Sequence, residues 1–211
     1  MKNIVIYLLI LVGGFYSCQN NNSETAQSKE LKQTWTNIYQ NQFDKKVDFT
    51  NLTVPSFYNP DKHFAIIVAK GTTMNEVVTA IKKKFNVHLY NENLDSSATT
   101  NDRIADKGYV IIFNKNIEAD DNLKNLSTNK LIEMNISGIT LLERLLLEVF
   151  YFDNTKKHLD IKNWTLCSGS RDSGGYVPFV HWNSDDSELY GDWCSVDFYG
   201  GDLRGRAVVT K

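Results

Sequence analysis

Apolar residues recur most regularly between Leu131 and Phe152, which read LIEMNISGITLLERLLLEVFYF. Ile139, Leu142, Leu145, Leu146, Val149 and Phe150 fall three and four positions apart and share one face of an α-helix. Thr140-x-x-Glu143 is a capping box where that helix should begin. Leu141 and Leu147 widen the stripe beyond what a one-sided surface helix needs, so contact is expected with a sheet on one side and another segment on the other.

Other elements follow from the same patterns. Leu31, Trp35, Ile38, Tyr39 and Gln42 suit a short amphipathic helix over 30–43, and Val47 to Asn59 reads as extended or loop up to Pro60. His63 to Ala69 (HFAIIVA) is a compact branched run and predicts a buried strand. Thr73-x-x-Glu76, with Met74, Val77, Val78, Ile81 and Phe85, predicts a capped helix over 74–85, and Val87 to Tyr90 alternates as a strand. The plan then repeats. Leu131 to Ile136 precedes Gly138-x-Thr140-x-x-Glu143 as His63 to Ala69 precedes Gly71-x-Thr73-x-x-Glu76, and 158–161 or 164–166 supplies the returning strand. Tyr109 to Phe113 is a further strand between the two units, with polar loops at 91–107 and 114–130.

Past Leu166 the composition changes. Cys167 to Gly175 is a turn-rich hinge, and Tyr176 to Trp182, Leu189 to Tyr199 and Leu203 to Thr210 are three aromatic or branched runs divided by turns at 183–187 and 200–202. The expected fold class is α+β, two strand-helix-strand units followed by a C-terminal antiparallel β meander. The expected divisions are a signal peptide over 1–17, a disordered tether over 18–29, an α+β domain over 30–166, and an aromatic-rich meander over 167–211 packed on it or following it.

The first residues carry the clearest address. Lys2 is followed by an apolar run from Ile4 to Phe15, then Phe15-Tyr16-Ser17-Cys18 and the polar tract Gln19 to Ser28. The run is too short to span a bilayer, which takes about 20 residues. The arrangement resembles the lipobox of bacterial lipoproteins, although Phe15 and Tyr16 stand where that pattern prefers Leu and a small residue. The resemblance implies that Cys18 is lipidated and becomes the new amino terminus, so that the chain is held in the cell envelope at the outer membrane or its periplasmic face. An ordinary secretory signal with an incidental Cys is the alternative, and it exports the chain as well. Within 63–166, two strand-helix-strand units with Thr-x-x-Glu caps resemble the short amino-terminal domain of secretins and TonB receptors, which implies an interaction module facing the periplasm. The stretch of roughly 40 residues between the units is longer than that small domain holds.

Charge and candidate chemistry narrow the function. The formal net charge is −2, and removal of residues 1–17 takes away only Lys2. With no basic block beyond Lys82-Lys83-Lys84, read as a solvated helix face, nucleic acid is not an expected partner. Cys167 and Cys194 are expected to form a disulfide in an exported chain, with a metal tetrad of His158, Cys167, His181 and Cys194 as the weaker alternative. The four histidines lack zinc-motif spacing, the acids Asp185, Asp186, Asp192, Asp197 and Asp202 miss the calcium-loop spacing, and no phosphate loop or cofactor motif appears. Asp172-Ser173-Gly174-Gly175 resembles the nucleophile segment of trypsin-like serine proteases, but a flexible turn is the simpler reading. The candidate binding surface is Tyr176, Trp182, Tyr190, Trp193 and Tyr199 with Arg204 and Arg206, suited to a glycan or an envelope protein; the competing account uses the rings as core. The expected function is a lipid-anchored envelope lipoprotein with a binding or assembly role. The alternatives are a small envelope hydrolase using Ser173 or a His181–Asp185 pair, and an immunity or inhibitor lipoprotein.

Overall fold

The computed structural model describes residues 24–210. Cys18 and the expected signal peptide lie outside the described residues. Helix α1 (Ala26–Phe43) opens where the Thr25 hydroxyl accepts the Ser28 N–H and closes at Asp44, which takes the left-handed conformation at φ 52°. It therefore starts inside the stretch expected to be a disordered tether, because Thr25 caps a run that contains no helix breaker. The helix is pinned from one side. Trp35 Nε1 donates to the Ala65 carbonyl at 2.9 Å, and the Tyr39 hydroxyl accepts the Ala69 N–H at 2.8 Å.

Strand β1 (His63–Val68) is buried from Phe64 onward, and Thr73 caps α2 (Met74–Lys82) as expected. Strand β2 (Asn86–Leu89) comes next, then a single turn α3 (Leu94–Ser97), the two-residue β3 (Thr100–Asn101) and β4 (Tyr109–Asn114). β1 pairs antiparallel with β4, Phe64 opposite Phe113 and Ile66 opposite Ile111, as a two-stranded sheet. β2 does not join it. The first strand-helix-strand unit thus sends its two strands to different sheets.

The segment expected as the second unit's leading strand is instead largely helix α4 (Thr128–Glu133), whose start is capped by Ser127 and whose Leu131 is buried. Ser127 satisfies the Lys130 N–H and favours a helical start, which propensity for a strand cannot match here. Helix α5 (Leu141–Thr155) then carries both reciprocal bonds of the Thr140/Glu143 capping box. It is buried along most of its length, against α2 and β1 on one side and the second sheet on the other. That matches the width of its apolar stripe.

The second sheet contains β5 (Trp164–Leu166), β7 (Val177–Asn183), β8 (Glu188–Cys194) and β9 (Leu203–Gly205) together with β2, in the order β2-β8-β7-β5-β9; β6 (Ser170–Arg171) pairs with β3. β7 and β8 form the expected antiparallel hairpin, but β9 pairs parallel with β5 rather than with β8. The meander stops after two strands because Leu203 must fill the second core with Leu123, Leu131 and Leu166. Gly205 permits that docking: a Cβ there would lie 3.2 Å from the side chains of both Leu123 and Leu131. Residues 158–161, a candidate returning strand, are an irregular bend with Asp160 at φ 53°. β2 and β5 come from before residue 167 and β7 to β9 from after it, so one sheet joins the two expected regions. The chain's last turns finish the union, since Val208 bridges to Phe113 and the Val209 N–H donates to the Ile112 carbonyl at 2.8 Å. The fold is α+β.

Candidate functional site

A cavity of about 500 Å³ opens between α1, the loop preceding β1, the segment following β4, and the carboxyl end of α5. This volume lies within the range of small-molecule sites, roughly 300–1,000 Å³. Its apolar floor is set by packing that the fold needs anyway. Phe64 meets Phe150 at 6.3 Å and Tyr151 at 5.9 Å, both edge to face, while Phe150 stacks on Trp35 at 5.6 Å. Leu31 and Ile117 complete the apolar lining.

Polar groups collect at the rim. The Asn59 N–H donates to His63 Nδ1 at 3.1 Å, so in the neutral ring the other nitrogen carries the hydrogen. Burial, with the Lys62 charge beside it, holds His63 below the ordinary histidine range and keeps that neutral form. Burial and the nearby Glu30 carboxylate push the Tyr58 hydroxyl up, so it stays a donor. Lys115 Nζ donates to the Pro60 carbonyl at 2.7 Å, tying the segment after β4 to the same loop. An apolar recess with a few hydrogen-bonding groups at its rim is the arrangement of small-molecule sites. None of these residues was singled out from the sequence. Leu31, Phe64 and Phe150 look like core by periodicity, and only packing shows that the core stops short of filling the space.

The residues expected to form a binding surface do not share a face. Alternation along β7 and β8 sends Trp182 and Trp193 toward the main core, where Trp182 stacks on His158 at 3.3 Å. Arg206 is fully buried and bonds Asp160 at 2.9 Å, while Arg204 pairs with Asp121. Tyr176 and Tyr199 are exposed on loops, and Tyr190 is half-buried on the face of the sheet that carries the second core. There it joins residues that sequence reasoning did not place with it. Trp164 and His181 stack at 5.2 Å, His181 and Tyr190 lie 5.3 Å apart, and Tyr190 and His88 stack at 5.3 Å. The spacing is close to that between neighbouring strands, which sets these rings side by side.

The expected disulfide is not formed: Cys167 and Cys194 are both free and buried. Strand β7 explains the separation. The Cys167 N–H bonds to the Pro178 carbonyl on one side of β7, and Cys194 pairs with Val177 on the other. Two strand spacings make roughly 10 Å, beyond the roughly 7 Å limit for a disulfide. The two side chains also belong to different cores, on opposite faces of the sheet. Burial pushes the Cys167 thiol up and the Cys194 thiol up to about 11, so neither is a ready nucleophile. No cluster of three metal-ligating side chains occurs among the described residues.

The candidate hydrolase groups are also apart. Asp172 organises its own turn, accepting the Gly174 and Tyr176 N–H groups at 2.9 and 2.8 Å, and Ser173 is exposed in that turn. His181 packs among Trp164 and Tyr190, whereas Asp185 lies in the β7–β8 turn. Of the basic run, Lys82 and Lys83 are exposed, and Lys84 pairs with Asp153.

A second polar cluster was invisible in the sequence. Arg144 bonds Asp160 at 2.9 Å and Glu148 at 2.8 Å, His158 Nδ1 lies 2.9 Å from Glu148, and Arg206 closes on Asp160. Burial opposes the Arg144 charge, but the Asp160 and Glu148 carboxylates outweigh it and hold the group above its ordinary value. This cluster is sealed between α5 and the sheet and serves the fold.

Among the described residues no helix is long and apolar enough to cross a membrane. Comparison with known proteins finds no matching family, no similar curated protein and no similar solved structure.

Proposed function

We propose that the protein is an exported, lipid-anchored binding protein of the cell envelope, tethered through Cys18 and holding a small ligand between α1, α5 and the β1–β4 pair. The observation that carries the binding role is the recess of about 500 Å³, apolar below and hydrogen-bonding at its rim. The address rests on the residues Lys2, Ile4 to Phe15 and Ser17-Cys18. The two parts support each other. α1 lines the recess with its first turns, and only six residues lie between Cys18 and Thr25, which limits the reach to about 25 Å.

The test has two arms. Intact mass and membrane partitioning of the wild type are compared with Cys18→Ala, where added acyl mass and membrane recovery of the wild type alone support the anchor. Native mass spectrometry of the protein released from membranes reads the ligand, and loss of any adduct on Thr34→Trp, which adds bulk at the cavity wall, supports the site. A soluble wild type of unmodified mass ends the anchoring part. An adduct indifferent to Thr34→Trp ends the binding part.

A further inference from the structure

We infer that the ligand of this cavity is an amphiphile with one apolar chain and an uncharged, hydroxyl-bearing head, an inference that rests on the binding role proposed above. The floor of Leu31, Phe64 and Phe150 offers no hydrogen bond and selects for a hydrocarbon segment. The rim decides the head. Glu30 on α1 and Lys115 after β4 lie on different walls, and neither is in an ion pair among the described residues.

A carboxylate entering this rim would gain Lys115 and meet repulsion from Glu30. An ammonium would gain Glu30 and meet repulsion from Lys115. Either charge would meet one attractive and one repulsive partner at the rim, so its Coulomb gain largely cancels. A hydroxylated head escapes this. It accepts from the Tyr58 hydroxyl, the free N–H of neutral His63 and Lys115, and it donates to Glu30. The source is the membrane to which Cys18 would hold the protein, since the recess opens beside the first turns of α1.

The experiment uses the full chain carrying Cys18→Ala and three probes with the same chain: monodecanoylglycerol, decanoic acid and decylamine, each titrated calorimetrically below its aggregation point. Monodecanoylglycerol is expected to bind, with the two charged probes about tenfold weaker. Glu30→Gln should strengthen decanoic acid about two- to fivefold, and Lys115→Gln should do the same for decylamine. Both positions are exposed, so neither change threatens folding. A charged probe that binds as tightly as the glyceride overturns the ligand class while the cavity stands. If none of the three binds, or if binding survives Thr34→Trp in a protein of unchanged circular dichroism, the cavity reading falls with it.

Discussion

Arg206 Nη2 and Asp160 Oδ1 meet at 2.9 Å with both side chains fully buried, although one residue lies just past β9 and the other in the bend after α5. The same guanidinium donates to the carbonyls of Asn116 at 2.9 Å and Ile117 at 3.3 Å, so it fastens β9 to the segment that follows β4. Removing one partner of such a pair leaves a buried charge short of compensation. Arg206→Met is expected to destabilise the protein by about 3 kcal/mol, read by urea unfolding, with the Asp160→Asn change costing a similar amount. Because the two share one network, the double variant should lose clearly less than the sum. Additive losses would show that the pair is not coupled.

The cysteines give a second expectation. In the folded protein carrying Cys18→Ala, Cys167 and Cys194 should react slowly with a maleimide at neutral pH and fully after denaturation, with no mobility difference between reducing and non-reducing gels. A bridged form surviving in the folded state would contradict the separation across β7.

Stability should also fall in alkali. The Cys194 thiol rises from 9.0 to about 11 and the Tyr39 hydroxyl from 10.0 to about 12, both mainly through burial. Below pH 9 both groups are protonated in folded and unfolded chains, so their contribution is complete. As pH rises from 9 to 12 the unfolded chain releases these protons first, so stability drops, by an amount on the order of 2 kcal/mol per group. Denaturant midpoints measured across this window check the direction. In a Cys194→Ala variant the fall between pH 9 and 11 should be shallower, the remainder there coming from Tyr39 and from Cys167, whose thiol burial also pushes up.

Gly138 and Ser168 provide a packing test. A Cβ at position 138 would overlap the Ser168 hydroxyl, and that buried hydroxyl has no hydrogen-bond partner. Gly138→Ala should therefore cost about 1–3 kcal/mol. Ser168→Ala should be close to neutral or stabilising, because it removes an unsatisfied polar atom. Combined, the two should recover part of the glycine loss, and thermal melts of the four proteins distinguish this from simple addition.

Glu143 joins two jobs in one side chain. It closes the capping box of α5 by accepting the Thr140 N–H at 2.8 Å, and it receives Arg103 Nε at 2.6 Å and the Tyr109 hydroxyl at 3.1 Å. Glu143→Ala should cost about 3 kcal/mol or more, well above a cap alone, which is worth about 1 kcal/mol. Tyr109→Phe removes one bond and should cost about 1 kcal/mol. Equal losses for the two would mean that Arg103 contributes little.

Local signals in the chain were sufficient for several elements. Thr73 and Thr140 cap the helices that their Thr-x-x-Glu spacing predicts, the branched runs at 63–68 and 109–114 are strands, and the turn at 183–187 joins an antiparallel hairpin. These depend on contacts within a few residues or on a period of burial, and a sequence carries both. The α+β class follows from them.

Long-range choices were not legible. Whether β2 pairs with β1 or with β8, and whether β9 continues a meander or lies parallel to β5, depends on which cores are left to fill. Cys167 and Cys194 have suitable spacing along the chain, yet β7 runs between them. Arg206, an expected surface cation, is buried because Asp160 and two carbonyls wait for it across the fold. Periodicity also assigned Leu31, Phe64 and Phe150 to the interior correctly, but a recess is space that side chains fail to fill, and no residue records it. The sequence by itself determined α1, α2 and α5, most strands and the fold class, since those are local. Strand order, thiol separation and the cavity were decided only by tertiary structure, because each depends on distances between segments that are remote along the chain.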